Sequence, residues 1–551
     1  MEKESNRLVL RVTPAIFLIT LLLLYYNYYC SNFLQFDSVD VEISQTIRND
    51  EQASKSISEG PNSTIEEHEW LISGQETNGT VDDHELKLIS REEEFNITDD
   101  HILQPKNENI YDTSNNTGRR FSSIETNETT EQVLQAPAKV VHKTKGSRDS
   151  TQSPLSRLVR GEDRKQLKAT GFACDARQSF IVCLSDKNVS IDTRTMKMYI
   201  PYNTKTSEIK KTEVRPYARR EDHGLLQSVT PIQIIQGNPT PPSCQYTHNE
   251  PAVIFSIGGF TGNLFHEFNE VIIPLYITTH HLRSRVRFII VNYRQSIVNK
   301  YAKIISHLSS FKEMNPAVDR RVHCFSGAIA GLTFHDHLTV NSKEIPGGYS
   351  MHNFRQFLRE TYNLKVENVS EIQKPVLMLI SRTTTRRFLN EGEMVSMMKG
   401  LGFDVIVTKK PEKMSNLNKF SKVVNKCSVL VGTHGAGLTN QLFLPNGAVT
   451  IQIEPLGLDW PSAFYFGNPA PAMGLHYIRY KIEAEESSLL EQYGPNHPAI
   501  VDPASIFAQG FQVTRTTYVD QQNMIVNVSR FRETLIEALR LVGHSPPPSN
   551  S

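Results

Sequence analysis

Cys427-Ser428-Val429-Leu430-Val431-Gly432-Thr433-His434-Gly435-Ala436-Gly437-Leu438-Thr439-Asn440 is the stretch on which the fold turns. Its first five residues are a short apolar run of the kind that builds a buried parallel strand. Leu438-Thr439-Asn440-Gln441-Leu442-Phe443-Leu444 reads as the helix that follows. Gly432, Gly435 and Gly437 fall at the turn between them, where the missing side chains let backbone N–H groups approach a ligand. The helix start adds about half a positive charge. Such a turn suits an anion, above all the diphosphate of a nucleotide-linked substrate, with His434, Gly435, Ala436 and Gly437 placed to contact it. A tight turn without a ligand is the plain alternative, because a short glycine motif is a weak signal.

Strands and helices alternate on both sides of this turn. A series begins at Pro375: strand Val376 to Ile380, helix Asn390 to Gly400, strand Phe403 to Val407, helix Leu417 to Cys427, strand Val429 to Val431, the helix just named, and strand Ala448 to Ile453. An earlier series holds strand Ala252 to Ile257, a helix from Asn263 to Leu282 interrupted at Pro274, strand Val286 to Val291 and helix Ser296 to Leu308. Strands alternating with helices of this length indicate parallel sheets with right-handed crossovers. The economical architecture is α/β: two Rossmann-like halves, 166–370 and 371–545, facing each other across a cleft. The last helix, Val528 to Leu541, is expected to cross back onto the first half.

Ligands of open α/β sheets bind beyond the carboxyl ends of the strands. Two further clusters fall there. Ser381-Arg382-Thr383-Thr384-Thr385-Arg386-Arg387 follows the strand ending at Ile380. Arg382, Arg386 and Arg387 suit bidentate contact with phosphate oxygens, although a solvated basic loop would read the same way. Gly258-Gly259-Phe260-Thr261-Gly262-Asn263-Leu264-Phe265-His266-Glu267-Phe268-Asn269-Glu270 leads from a glycine turn into a helix. His266 and Glu270 are one helical turn apart and share a face. A carboxylate beside an imidazole raises its basicity and fixes its tautomer, as a general base requires, so His266, Glu267 and Glu270 are the catalytic candidates. A helix-start histidine with acidic neighbours is the structural alternative.

The N-terminal part has another character. Residues 1–11 carry Lys3, Arg7 and Arg11, and Val12 to Tyr29 carry no charge. No Lys or Arg follows until Arg48, which orients a membrane anchor over 12–29 with its N-terminus in the cytosol. Residues 30–165 are polar, without hydrophobic periodicity, and read as a disordered luminal stem. Glycosylation sequons stand at Asn62, Asn78, Asn96, Asn115 and Asn127, with others at Asn188, Asn368 and Asn527. The 551 residues balance 59 basic against 59 acidic side chains, which gives no reason to expect a nucleic-acid partner. Among six cysteines, five lie in the luminal part, so at least one stays free or pairs between chains. Cys174 and Cys183 are close enough in sequence to bridge. No Cys/His cluster has zinc-ligand spacing, so no metal site is expected.

Ser381-Arg382, Arg386-Arg387-Phe388-Leu389-Asn390 and Gly432 to Asn440 running into Gln441-Leu442-Phe443-Leu444-Pro445-Asn446-Gly447-Ala448 resemble plant members of glycosyltransferase family 61. Gly262 to Phe268 is similar to that family's first-half motif. Val449 to Asp459, Tyr465-Phe466-Gly467, Glu485-Glu486-Ser487 and Asp502-Pro503 are similar to its xylan-modifying subgroup. The resemblance covers about 170 to 543 and not the stem. One departure stands after Cys183, where Leu184 to Ser190 carries a sequon in place of an acidic-glycine-aspartate run.

The resemblance implies a Golgi single-pass type II enzyme of GT-B fold and inverting mechanism. It implies transfer of arabinofuranose or xylose from a UDP-sugar to xylan, as a side chain. The N-glycan β-1,2-xylosyltransferase of the same family is the rival within the class, and a non-catalytic glycan-binding scaffold the rival outside it. UDP would sit on Gly435 to Gly437 with Arg382 and Arg387 as counter-charges, and His266 would deprotonate the acceptor. No permanently bound cofactor and no divalent ion are expected, and Asp-x-Asp is absent after the stem. Trp460, Tyr465 and Phe466 read either as sugar-stacking rings or as core.

Overall fold

The computed structural model describes residues 154–177, 179–201, 209–237, 240–345, 347–409 and 414–546, all within one compact unit. The anchor over 12–29, nearly all of the stem and the five stem sequons lie outside the described residues. Among the described residues no helix is long and apolar enough to cross a membrane.

The second half is built as its alternation predicts. Its strands belong to a series that runs β1 (Phe172–Ala176), β2 (Ile181–Ser185), β3 (Val189–Asp192), β4 (Lys197–Ile200), β5 (Lys210–Val214), β6 (Ile232–Gln236), β7 (Tyr246–His248), β8 (Ala252–Ser256), β9 (Arg287–Val291), β10 (Val322–Phe325), β11 (Ala328–Ala330), β12 (Val376–Ile380), β13 (Asp404–Thr408), β14 (Val429–Thr433), β15 (Val449–Glu454) and β16 (His476–Lys481). The last five form one parallel sheet in the order β13-β12-β14-β15-β16. β14 is buried at every residue, as the centre of a sheet covered on both faces must be.

The first half departs from the expected parallel sheet. Its strands form two mixed sheets, β1-β2-β11-β8-β9 and β5-β6-β4-β3-β10-β7. Only β11, β8 and β9 run parallel in the first of these. The reason is connection length: β1 and β2 are joined by residues 177–180, far too few for a crossover, and so pair antiparallel. The structure pairs Cys174 with Cys183 across that hairpin and Cys244 with Cys324, and leaves Cys427 free and buried.

The helical segment after β8 also differs from expectation. It runs from Leu264 through Leu282 without a break at Pro274. Residues Glu267–Ile272 form a π turn, in which Ile273 N–H donates to the carbonyl of Phe268. The wide turn absorbs the proline, which has no N–H and would crowd a carbonyl of a regular helix. The final helix, Val528–Leu541, packs on the helix Glu391–Gly400 and on β16 of its own half, in place of the expected crossing to the first.

One hydrophobic core runs through both halves. Phe268 meets Phe443 edge-on at 5.8 Å between ring centroids, and Tyr362 meets the same ring at 5.8 Å. The Arg355 guanidinium is buried in this seam, donating to the carbonyls of Leu442, Leu444 and Met473 and to Asn446 Oδ1. Ring packing and a buried polar clamp together fix the cleft walls relative to each other.

Candidate functional site

The site is assembled from the carboxyl ends of β8, β12, β14 and β15. A cleft between the halves is lined by Phe265 and His266 of the first and by His434, Gly435, Ala436, Tyr465 and Phe466 of the second.

On the first-half wall, Asn263 caps the helix by accepting from Phe265 N–H. His266 follows, buried, with Nδ1 2.7 Å from Glu270 Oε1. Glu270 also accepts from the Tyr217 hydroxyl at 2.5 Å and from Arg219 at 2.9 Å. Burial alone would raise this carboxyl, but the charges of His266 and Arg219 and the hydrogen bonds from His266 and Tyr217 hold it far below the usual carboxylate range. The Tyr217 hydroxyl is pushed well up by burial and by the adjacent carboxylate, so it remains a donor. An ionised Glu270 accepts a hydrogen bond from Nδ1–H and leaves Nε2 of His266 as the basic nitrogen.

Glu267 faces elsewhere. Its oxygens accept from Gly262 N–H at 3.0 Å, Lys300 at 2.6 Å and Tyr301 at 2.5 Å, and it is buried among them. It ties the glycine turn to the junction of the helices Gln295–Lys300 and Ala302–Leu308, and its hydrogen bonds go there and not to the imidazole.

On the second-half wall, Gly435 stands two residues beyond β14, and its φ of +143° lies in the region that favours glycine. A Cβ there would stand 2.8 Å from Arg382 Nη1 and 3.2 Å from Arg386 Nη1, so both guanidinium groups lie against this turn. Arg386 is buried and donates to the His434 carbonyl at 2.8 Å, and Arg382 donates to the Thr385 carbonyl at 3.0 Å. Arg387 is exposed and turns to Asn523 Oδ1. The structure therefore brings Arg382 and Arg386 to the glycine turn, and places Arg387 outside it. Ala436 and Gly437 open the 3₁₀ turn Ala436–Phe443, whose first N–H groups have no partner within the turn itself.

His434 is fully buried beneath the glycine turn, its ring against Phe466 at 5.6 Å. Tyr477 donates to Gln452 Oε1 at 3.0 Å, so the Gln452 amide nitrogen faces His434 Nδ1 at 2.9 Å. That sequence of donors makes Nδ1 an acceptor and puts the ring proton on Nε2. Two residues along β15 stands Glu454, fully buried, with Oε1 held by Arg479 at 2.6 Å. Burial raises its carboxyl to about 7 against the opposing pull of Arg479.

Tyr465 and Phe466 are core side chains packed on Phe265, at 5.0 and 5.6 Å, whereas Trp460 is 52% exposed. The sequons at Asn188, Asn368 and Asn527 are exposed, the last two capping a helical turn each. Tyr217, Arg219, Gln452 and Tyr477 carry no sequence signal: they reach the site only through strand pairing and loop closure.

A family model described as Glycosyltransferase 61 matches residues 239–451. The chain is 40% identical over 366 residues to an alpha-1,3-arabinosyltransferase of Oryza sativa subsp. japonica, covering 65% of this chain and 62% of that protein. It is 33% identical over 394 residues to a xylan glycosyltransferase of Arabidopsis thaliana, covering 67% of this chain and 80% of that one. It is 34% identical over 339 residues to a beta-1,2-xylosyltransferase of Oryza sativa subsp. japonica, covering 60% and 72%. The matched stretch thus spans less than two thirds of the rice arabinosyltransferase's length.

Proposed function

The chain belongs to glycosyltransferase family 61, and from that premise we propose that it transfers arabinofuranose or xylose from a UDP-sugar to xylan as a side chain. The observation that carries this reading is the cleft itself. It sets His266 of one half opposite Gly435 and Ala436 of the other, with Arg382 and Arg386 against the same turn. Relatives named for xylan, or for transfer of arabinose or xylose, support the sugar class.

The chemistry follows from the residues. The UDP diphosphate lies on Gly435 to Gly437, its charge met by N–H groups and by Arg382 and Arg386. The acceptor hydroxyl attacks the anomeric carbon from the first-half side. A new C–O bond forms as the bond from the anomeric carbon to the β-phosphate oxygen breaks, and that oxygen keeps the electron pair. The proton of the hydroxyl passes to His266 Nε2, and Glu270 stabilises the imidazolium. Negative charge grows at the phosphate during the step, so fixed cations there lower the barrier. These arginines supply the charge that a divalent ion would otherwise bring. A single displacement inverts the anomeric centre.

The two α/β halves around a cleft support a GT-B assignment, with the acceptor on 166–370 and the nucleotide-sugar on 371–545. The uncharged run from Val12 to Tyr29, with Lys3, Arg7 and Arg11 before it, supports a type II anchor and a luminal catalytic part in the Golgi. The disulfides Cys174–Cys183 and Cys244–Cys324 fit an oxidising lumen, as do exposed sequons at Asn188, Asn368 and Asn527.

The test is incubation of the purified chain with UDP-arabinofuranose or UDP-xylose and xylohexaose. The expected product is the hexaose plus one pentose. UDP binding without transfer from either donor would favour the glycan-binding scaffold and overturn the reading.

A further inference from the structure

Asn269 connects the helical segment that carries His266 to a second histidine, His337. It lies on the π turn that also carries Glu270, three residues beyond His266. Its Oδ1 accepts from Leu338 N–H at 2.8 Å. A backbone N–H is only a donor, so the orientation of the amide is settled, and its nitrogen faces His337 Nδ1 at 3.0 Å. Nδ1 of His337 must therefore accept, and the ring proton is on Nε2. His266 has the opposite arrangement: its Nδ1–H donates to Glu270 and Nε2 is the base. The first half thus presents a basic nitrogen on His266 and a fixed neutral N–H donor on His337, whose ring packs on Tyr465 of the cleft lining.

The ring of His337 is half-buried and meets second-half aromatics, with centroids 5.0 Å from Phe464 and 5.0 Å from Tyr465. Phe464 lies flat on Trp460, with ring centroids 4.8 Å apart and an interplanar angle of 17°. Trp460 is the exposed end of this ledge. Nε2 of His337 makes no hydrogen bond among the described residues. An open aromatic face beside a directional, uncharged N–H is what a neutral sugar ring needs. Its apolar C–H face covers the ring, and a hydroxyl accepts the hydrogen bond. Burial holds the His337 imidazole down at about 3, in agreement with a ring that stays neutral.

We propose that Trp460, Phe464 and His337 form an acceptor subsite for a pentopyranose ring of the xylan chain, in which His337 Nε2–H donates to a ring hydroxyl and Asn269 sets the tautomer. The proposal rests on the reading of xylan as acceptor. Asn269 is a positioning residue, because it reaches the sugar only through His337.

The test uses full-length chain carrying Trp70→Phe, which leaves Trp460 as the only indole of the two in the sequence. Xylohexaose is titrated against Trp460 fluorescence with and without UDP, and transfer from both UDP-pentoses is measured on the same protein. The proposal expects a saturable fluorescence change. It expects His337→Phe, which keeps a ring in place, to weaken xylohexaose about three- to tenfold, the loss of one neutral hydrogen bond, while UDP affinity holds. Asn269→Asp should weaken xylohexaose likewise, since a carboxylate draws the proton to Nδ1 and strips it from Nε2. His337→Gln, which can place an amide N–H, should recover part of the affinity. No fluorescence response, or equal affinity in wild type and His337→Phe, overturns the subsite even if transfer to xylohexaose is observed. Binding that His337→Phe weakens, in a protein that transfers neither pentose, supports the subsite and sinks the enzymatic reading instead.

Discussion

His266 Nδ1 lies 2.7 Å from Glu270 Oε1, and Glu270 is held in turn by Tyr217 and Arg219. The arrangement is a base, its orienting carboxylate and two groups that keep the carboxylate ionised. Glu270→Gln replaces an acceptor with a side chain that can donate to Nδ1, which drives the imidazole proton to Nε2 and occupies the basic position. Turnover should fall by about 10²–10⁴, the range a general base contributes. Steady-state kinetics beside UDP calorimetry check this, and wild-type turnover in a folded Glu270→Gln protein would count against it.

Arg386 and Arg387 are adjacent in sequence yet differ in reach. Arg386 is buried against the glycine turn, while Arg387 is exposed beside Asn523. Arg382→Ala and Arg386→Lys should each weaken UDP about tenfold or more, as loss or misplacement of a charge-assisted contact does. Arg387→Ala should change UDP affinity by no more than about twofold, as expected for an exposed cation. Calorimetric titration with UDP separates the three, and a larger loss in Arg387→Ala than in Arg382→Ala would contradict the assignment.

Gly435→Ala tests the same wall without removing charge. The new methyl would meet Arg382 Nη1 at 2.8 Å, and the backbone φ of +143° disfavours any side chain. Both guanidinium groups must move, so UDP affinity should fall by at least about tenfold, a loss on the scale of one charge-assisted hydrogen bond. UDP affinity equal to wild type in Gly435→Ala would show that the turn is not the diphosphate cradle.

Two buried carboxylates give opposite pH signs. Glu454 is raised to about 7 by burial, despite Arg479. Between the ordinary carboxylate range and about 7 the unfolded chain has lost this proton while the folded chain keeps it, so folding stability declines as pH rises through that window. Glu270 is depressed, so its contribution is present above the ordinary range and is lost only in stronger acid. Glu454→Gln should therefore gain stability relative to wild type between pH 5 and pH 8, by up to about 3 kcal/mol, with Glu270 silent over that span. Urea unfolding at the two pH values measures it, and a constant difference would refute the proton on Glu454.

The second half was legible because its parallel strands carry short apolar runs: β12 and β14, at the middle of the sheet, are uninterrupted from Val376 to Ile380 and from Val429 to Val431. Glycine and arginine clusters at strand ends carried their positions with them. In the first half only β8 and β9 were legible; its other strands are short or lie in hairpins and leave no long period to read, as in Val189–Asp192 or Lys197–Ile200. Spacing on one helix found His266 and Glu270, but it could not separate Glu270 from Glu267. The π turn between Glu267 and Ile272 sets which carboxylate faces the imidazole, and only Pro274 hints at it. Tyr217, Arg219, Gln452 and His337 arrive from loops and strands distant in sequence, so nothing local marked them.

The most direct measurement is the turnover of His266→Ala at saturating UDP-pentose and xylohexaose, taken together with its UDP affinity by calorimetry. The account predicts a fall in turnover of about 10²–10⁴ with UDP affinity within about twofold of wild type, because the base stands on the half opposite the nucleotide. Near-normal turnover would contradict it and leave His266 a structural part of the cleft wall.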